Sequence, residues 1–445
     1  MQSSLQVARK KRASDFYLRW SLAGLQRYKE KCIMERQRAK MYNREECMIR
    51  RKYKKRKHGF AVLIMFCVIL TGAAGAQRVV NWNKGTDQGK SSIPYQKTSG
   101  EMENATDKYY YEQLADEEKQ IYQEILEGVR NHTEEIYVHA SDANQANQIF
   151  QDIIKDQPDV FWCDGTATAV SHKGNESYTV LKPKYIYDAG ESTSMSQEIE
   201  QQVDEWLKDL KNDADDYHKI LYVYEKIVDM VDYDAEASDN QNIYSVFVNH
   251  RSVCAGYSRA TQYLLEKLGV FCTYVTGKTT GGESHAWNLV KCNGDYYYVD
   301  TTWGDPVFQK AEGEETSADQ NISYDYMCCD DTELLQTHVP DSGTVLPACS
   351  KMDANYYVVN GMYYQQYDGK QVLNAMNQSV RNKESSTTFK FADGDFYQQA
   401  HDDIFQNQLP KAAKNLAQAY GLTQVKYQYI DDPGLHKIVI FWQYS

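Results

Sequence analysis

The chain has 445 residues, 42% of them hydrophobic and 25% charged, with eight prolines. That balance excludes a collagen-like, polyproline-rich or largely disordered chain and leaves room for two or three folded units. The net charge of −13 hides two opposite regions: residues 1–58 hold 19 Lys/Arg against 5 Asp/Glu (+14), and residues 77–445 hold 30 against 57 (−27), a field that repels nucleic-acid phosphates and excludes DNA or RNA as the partner of that part.

The basic arm, residues 1–58, mixes Leu5, Phe16, Trp20 and Tyr28 with its cations, which suits helices lying on an anionic leaflet. Gly59 to Ala76 follows, eighteen residues without a charge directly after Arg51, Lys52, Lys54, Lys55, Arg56 and Lys57. As a helix it would reach roughly 27 Å, enough for a hydrocarbon core, with the basic flank held in the cytoplasm. A cleaved signal peptide ending at Ala74-Gly75-Ala76 fits less well, because the leader far exceeds an ordinary n-region. The reading is a single-pass membrane protein whose remaining residues are extracytoplasmic.

Residues 77–108, rich in Gly, Ser, Lys and Asn, predict a flexible stalk. Residues 109–187 predict a helix-rich subdomain: Leu114, Ile121, Ile125 and Val129 recur at helical spacing, as do Ile149, Phe150, Ile153 and Ile154, and Ser177 to Tyr187 reads as a strand pair or an extended segment around Pro183. Residues 188–347 predict the central α+β core, opened by helices through Ile199, Val203 and Trp206 and from Asp216 to Val231. Residues 348–445 predict a small α+β module. Asn360-Gly361 and Asp368-Gly369 suggest hairpins within Tyr356 to Leu373, and a helix near Lys411 to Tyr420 lies between strands at Thr387 to Phe391, Val425 to Ile430 and Lys437 to Trp442.

The central core carries the chemistry. Tyr257, Thr261, Leu264, Leu265 and Leu268 recur at helical spacing after Cys254, and Gly269 ends the run. Cys254 therefore stands at a helix N-terminus, where the helix field favours a thiolate and free N–H groups can receive an oxyanion. Downstream, Asn293-Gly294 centres a hairpin between His285 to Lys291 and Tyr296 to Thr302. An even loop pairs residues whose numbers sum to 587, so Trp287 faces Asp300, His285 faces Thr302, and His285 and Asp300 become diagonal neighbours about 7 to 8 Å apart at the backbone. A nucleophile, a base and an acid that orients the base follow: Cys254, His285 and Asp300, with Asp305 the rival acid.

The blocks Ser252-Val253-Cys254-Ala255-Gly256-Tyr257-Ser258, Gly277, His285-Ala286-Trp287-Asn288 and Tyr297 to Asp305 resemble the core of bacterial transglutaminase-like proteins, closely here and more loosely from Tyr109 through Cys349. The resemblance implies a papain-like fold, a helix bearing Cys packed on an antiparallel sheet bearing His and Asp. It also implies a Cys/His/Asp triad and an acyl-thioester intermediate resolved by water or an amine. Members include cross-linkers, peptidases, amidases and inactive binding modules, so a cysteine peptidase or amidase leads, with a protein-glutamine transglutaminase or a surface scaffold as alternatives. Its substrate would be a protein or peptide, such as a cell-wall or surface protein.

Other candidates are Gln241 as an oxyanion donor and Tyr257, Trp287 and Trp303 as substrate-pocket residues. Cys328, Cys329, His338 and Cys349 match no zinc spacing, and no metal or cofactor is expected. The seven cysteines beyond the span are odd in number, which permits a free thiol. Protease shaving of intact cells should spare the basic arm while cutting the Cys254 region; loss of the arm with survival of that region would reverse the topology.

Overall fold

The structure, a computed structural model, describes residues 93–96, 98, 108–174, 176–305 and 322–444. The basic arm, the expected span 59–76 and most of the expected stalk lie outside the described residues. Among those described, no helix is long and apolar enough to cross a membrane.

The first layer packs helices Tyr109–Glu112, Asp116–Arg130 and Ala143–Asp156 on a three-stranded antiparallel sheet of β1 (Ile136–Val138), β2 (Cys163–His172) and β3 (Tyr178–Tyr185), in the order β1-β3-β2. Ile121, Ile125, Phe150, Ile153 and Leu181 fill the space between them. The helix-rich expectation is thus corrected to helix on sheet. Sequence patterning misses β2 because its Thr-Ala-Thr-Ala run alternates threonine only with small alanines, a faint apolar signal, and past Cys163 it is only half-buried or exposed.

The central core begins with helices Ala189–Leu207 and Asp216–Met230. Asp188 and Glu191 form a capping box at the first of these, each carboxylate accepting from the other residue's N–H. A short parallel pair, β4 (Asp232–Tyr233) and β5 (Arg251–Ser252), flanks helix Ile243–Phe247 and leads into helix Cys254–Lys267. That helix packs on a five-stranded antiparallel sheet of β6 (Cys272–Thr279), β7 (Ser284–Cys292), β8 (Asp295–Val299), β9 (Met327–Cys329) and β10 (His338–Pro340), ordered β10-β6-β7-β8-β9. Tyr224, Tyr257, Leu264, Leu265 and Val290 close the core under it.

The β7–β8 hairpin keeps the expected register from Cys292↔Asp295 to Asn288↔Val299, turning through Asn293 and Gly294, both at positive φ. Pairing stops there. The expected Trp287↔Asp300 and His285↔Thr302 pairs do not form, because the chain turns away at Asp300, whose Oδ1 accepts the Thr302 and Trp303 N–H groups while its own N–H goes to the Tyr326 carbonyl at 3.0 Å.

The C-terminal module contains helix Tyr356–Val359, β11 (Tyr363–Tyr364), helix Gly369–Asn382, β12 (Ser386–Phe391), helices Gly394–Asp403 and Leu409–Tyr420 joined by a π turn at Ile404–Gln408, β13 (Tyr427–Asp432) and β14 (Lys437–Trp442). Its sheet runs β11-β12-β14-β13. The two expected hairpins within Tyr356 to Leu373 are absent. Asp368 instead caps a helix by accepting the Lys370 N–H at 2.8 Å, and Val372, Met376 and Val380 bury one face of it.

Two ion pairs fasten this module to the core: Lys437 on Asp325, and Lys390 on Glu333 at 3.1 Å. Burial pushes the Asp325 carboxyl up, but Lys437 and Lys390 outweigh it and hold the group below its ordinary value. The resulting stabilisation is therefore present above the ordinary carboxylate range and is lost as pH falls. Lys437→Met, which leaves a buried carboxylate short of a partner, should cost about 3 kcal/mol in urea unfolding at neutral pH, and the loss should shrink in acid.

Candidate active site

Cys254 is the first residue of its helix, and Val253 at the N-cap makes no side-chain cap. The N–H groups of the first turn, which have no acceptor within the helix, thus remain available near the sulfur. The helix start presses on the preceding segment: Ser252 Oγ bonds Ser245 Oγ at 2.7 Å and the Asn240 carbonyl at 2.9 Å. A Cβ on Gly256 would lie 1.9 Å from Ser252 Oγ, so the Cys-Ala-Gly motif needs glycine to let the two segments touch. At the far end Gly269, at φ 74°, lets the Val270 N–H return to the Leu265 carbonyl.

The sheet is stitched to this helix under the site. Buried Asn288 donates to the Ser258 carbonyl at 2.9 Å and to the Thr273 carbonyl at 3.3 Å, and Thr261 meets Thr301 at 3.0 Å. These contacts hold His285, three residues before Asn288, and Asp300, one before Thr301, in place against the Cys254 end.

His285 and Asp300 are both buried, and His285 Nε2 lies 2.7 Å from Asp300 Oδ2. The second carboxylate oxygen accepts the N–H groups of Thr302 at 2.9 Å and Trp303 at 3.2 Å. With Nε2 engaged, Nδ1 is the ring nitrogen left for the Cys254 sulfur, which also interacts with His285. Burial alone would lower the His285 pKa, but the Asp300 carboxylate and then the Cys254 sulfur reverse this and raise it to about 10. Burial pushes Asp300 up, yet His285 and His338 hold it well below the usual carboxylate range.

The sequence-predicted residues divide. Cys254, His285 and Asp300 come together, and Asp305 is not the acid beside His285: its Oδ2 accepts the Tyr257 hydroxyl at 2.7 Å. Tyr257 is buried, with its hydroxyl also on the Val231 carbonyl at 2.6 Å, so its expected pocket role is corrected to a structural one. Trp287 is likewise fully buried, backing the imidazole at 6.0 Å between ring centres. Trp303 is half-buried with its ring 5.7 Å from that of His285, and it alone of the three remains placed for a substrate wall. The Gln241 amide donates to Asn240 Oδ1 at 2.9 Å, on the loop whose Asn240 carbonyl takes the Val253 N–H.

Sequence reasoning misses one residue. His338, fully buried on β10, places Nε2 3.1 Å from the same Asp300 Oδ2. Nothing in the spacing announces it, because β10 joins the sheet across a 38-residue separation from Asp300. The zinc alternative does not assemble: Cys328 packs under the Cys254 helix, whereas Cys329 and Cys349 belong to a separate cluster. His285, Asp300 and His338 offer ligand atoms within 4.8 Å of one another, but the hydrogen bonds inside this trio already account for its geometry.

All seven described cysteines are unpaired, and Cys254 is the one that is not fully buried. Burial pushes Cys163, Cys292 and Cys349 up to about 12, and Cys272, Cys328 and Cys329 upward as well. Limited iodoacetamide at pH 6, read by peptide mass spectrometry, should therefore mark Cys254 ahead of these six. His285→Ala should slow that labelling, and equal labelling across the folded protein would speak for a scaffold.

Residues 204–301 match the transglutaminase-like superfamily. Kyphoscoliosis peptidase of Mus musculus is 21% identical over 174 residues, covering 35% of this chain and 26% of that protein. The Homo sapiens protein of the same name is 24% identical over 157 residues, covering 32% and 23%. The matched region is thus about a quarter of the length of these relatives. A crystal structure of a TGase shares 14% identity with a TM-score of 0.24, covering 42% of this chain and 54% of that one. The chain carries a transglutaminase-like domain, whose matched segment contains Cys254, His285 and Asp300.

Proposed function

We propose that the chain is a thiol enzyme that acts on peptide or amide bonds of a protein substrate through an acyl-thioester on Cys254. The observation that carries this reading is the hydrogen-bonded His285–Asp300 pair set against a cysteine at an uncapped helix start. Cys254 Sγ attacks the carbonyl carbon, and the oxyanion takes the Cys254 N–H and, after rotation, the Gln241 amide. His285 Nδ1 gives its proton to the departing amine as the C–N bond breaks. Water then adds to the thioester carbonyl, loses a proton to His285 and expels the thiolate, releasing a carboxylic acid. An amine in place of water would give a new amide by the same steps. The extracytoplasmic, membrane-anchored setting belongs to this proposal and rests on the charge asymmetry about residues 59–76.

The departing amine needs a protonated His285, so kcat/KM should fall on the basic side as pH approaches about 10. Because Asp300 is what raises His285, Asp300→Asn should move that limb to lower pH and reduce turnover by about a hundredfold or more while the melting transition persists. A pH–rate profile with a protein substrate reads both effects. Offering the same substrate with a primary amine separates the outcomes: peptide release alone supports hydrolysis, amine incorporated at glutamine identifies a transglutaminase, and neither, with Cys254 intact, overturns the enzymatic reading.

A further inference from the structure

We infer that His338 is a positioning residue of the active site, a second histidine that fixes the Asp300 carboxylate so that Asp300 can orient His285. The inference rests on the thiol-enzyme reading for its purpose, but its geometry stands apart from it. Asp300 Oδ2 is shared by His285 Nε2 at 2.7 Å and His338 Nε2 at 3.1 Å, while Oδ1 is held by two backbone N–H groups. His338 therefore supplies the fourth donor to one buried carboxylate. Without it, Oδ2 would be held by His285 alone, the group whose proton must move during the reaction.

The acceptor in front of His338 selects its tautomer: an ionised carboxylate only accepts, so the Nε2 that lies 3.1 Å from Asp300 Oδ2 carries a proton. Tyr326 Oη lies 2.7 Å from Thr337 Oγ1, and Thr337 Oγ1 lies 2.8 Å from His338 Nδ1. Each hydroxyl has one proton to give. Thr337 Oγ1 also lies 3.3 Å from the Leu334 carbonyl, so its single proton is shared between that carbonyl and His338 Nδ1. The ring is locked by neutral aromatics: Trp303 at 4.8 Å, Trp287 at 4.9 Å and Tyr326 at 5.1 Å between centres.

The backbone carries the same message. β10 lies on the edge of the sheet beside β6, with Pro340 opposite Gly277 and Gly277 opposite His285 on β7. A Cβ on Gly277 would lie 2.3 Å from the Val339 carbonyl and 2.6 Å from the Trp287 ring. Glycine at this point lets β10 and Trp287 close together, and so brings His338 to the acid. Gly277, part of the sequence motif, acquires a reason in the position of a residue outside that motif.

The test uses the full-length protein in detergent and compares His338→Leu, which removes the donor, with His338→Gln, whose side-chain amide can reach toward Asp300. Two readouts are taken: kcat/KM on the protein substrate, and the pH dependence of Cys254 alkylation by iodoacetamide, which needs no substrate. The expected result is a loss of tenfold or more in kcat/KM and a displaced alkylation profile for His338→Leu, both largely restored in His338→Gln. In an Asp300→Asn background, His338→Leu should change little, because its effect passes through Asp300. Wild-type behaviour of folded His338→Leu, equal defects in both variants, or an undiminished effect in the Asp300→Asn background would overturn the inference. If no substrate is turned over by the wild type, the enzymatic reading fails, while the alkylation profiles still decide the role of His338.

Discussion

The buried carboxylate of Asp300 is the constraint around which the Cys254 end of the sheet is organised. An ionised carboxylate taken out of water is costly unless its lone pairs are satisfied and its charge is compensated. Here two imidazoles and two backbone N–H groups do both. The same four donors fix the carboxylate plane, so compensation and orientation are one feature. His285 inherits that orientation through Nε2, which turns its other nitrogen toward Cys254.

Support for this arrangement comes from polar groups that would otherwise be unremarked parts of the core. Asn288 joins the Cys254 helix to two strands, and the Thr261–Thr301 contact joins it to the turn after β8. Tyr326 takes the Asp300 N–H on its carbonyl and anchors Thr337 with its hydroxyl. Its neighbour Asp325 is the residue clasped by Lys437 of the C-terminal module. The module is thus tied by a buried charge pair to the residue next to one that holds Asp300, so its attachment and the placement of Asp300 share a short stretch of backbone.

How much of this was legible in the sequence follows from the range of each signal. Asn293-Gly294 specifies a turn with both residues at positive φ, and strand alternation then carries the register outward, so five β7–β8 pairs were readable from local chemistry. The helix after Cys254 was readable from periodicity and from Gly269. The register failed beyond Val299, where Asp300 turns the chain by accepting the Thr302 and Trp303 N–H groups and gives its own N–H to Tyr326, a residue distant in sequence. His338 was illegible for the same reason, since a short edge strand of Thr-His-Val-Pro type has no period that points to its neighbour. Asp368-Gly369 was misread because Asp before Gly serves both a hairpin turn and a helix cap, and the apolar spacing of Val372, Met376 and Val380 decides for the helix. Tyr257 and Trp287 were assigned to a pocket by proximity to the motif, whereas size and burial make them core residues.

The seven described cysteines show what the fold adds to a residue type. Six are buried, and for each of them removal from water raises the cost of a thiolate. Cys254 differs in three respects that no composition can report: it is partly open to solvent, it begins a helix with no capping side chain, and it faces an imidazole whose far nitrogen is held by a carboxylate. In the proposed reaction, partial exposure would let a carbonyl reach the sulfur, the helix start would offer N–H groups to the charge developing on oxygen, and the imidazole would handle the proton. Any one of these is common in proteins. Their convergence on one atom requires the Cys254 helix, the β7–β8 hairpin and the β10 edge strand to meet at one end of the sheet, and that meeting is the structural basis for assigning chemistry to this cysteine and not to the other six.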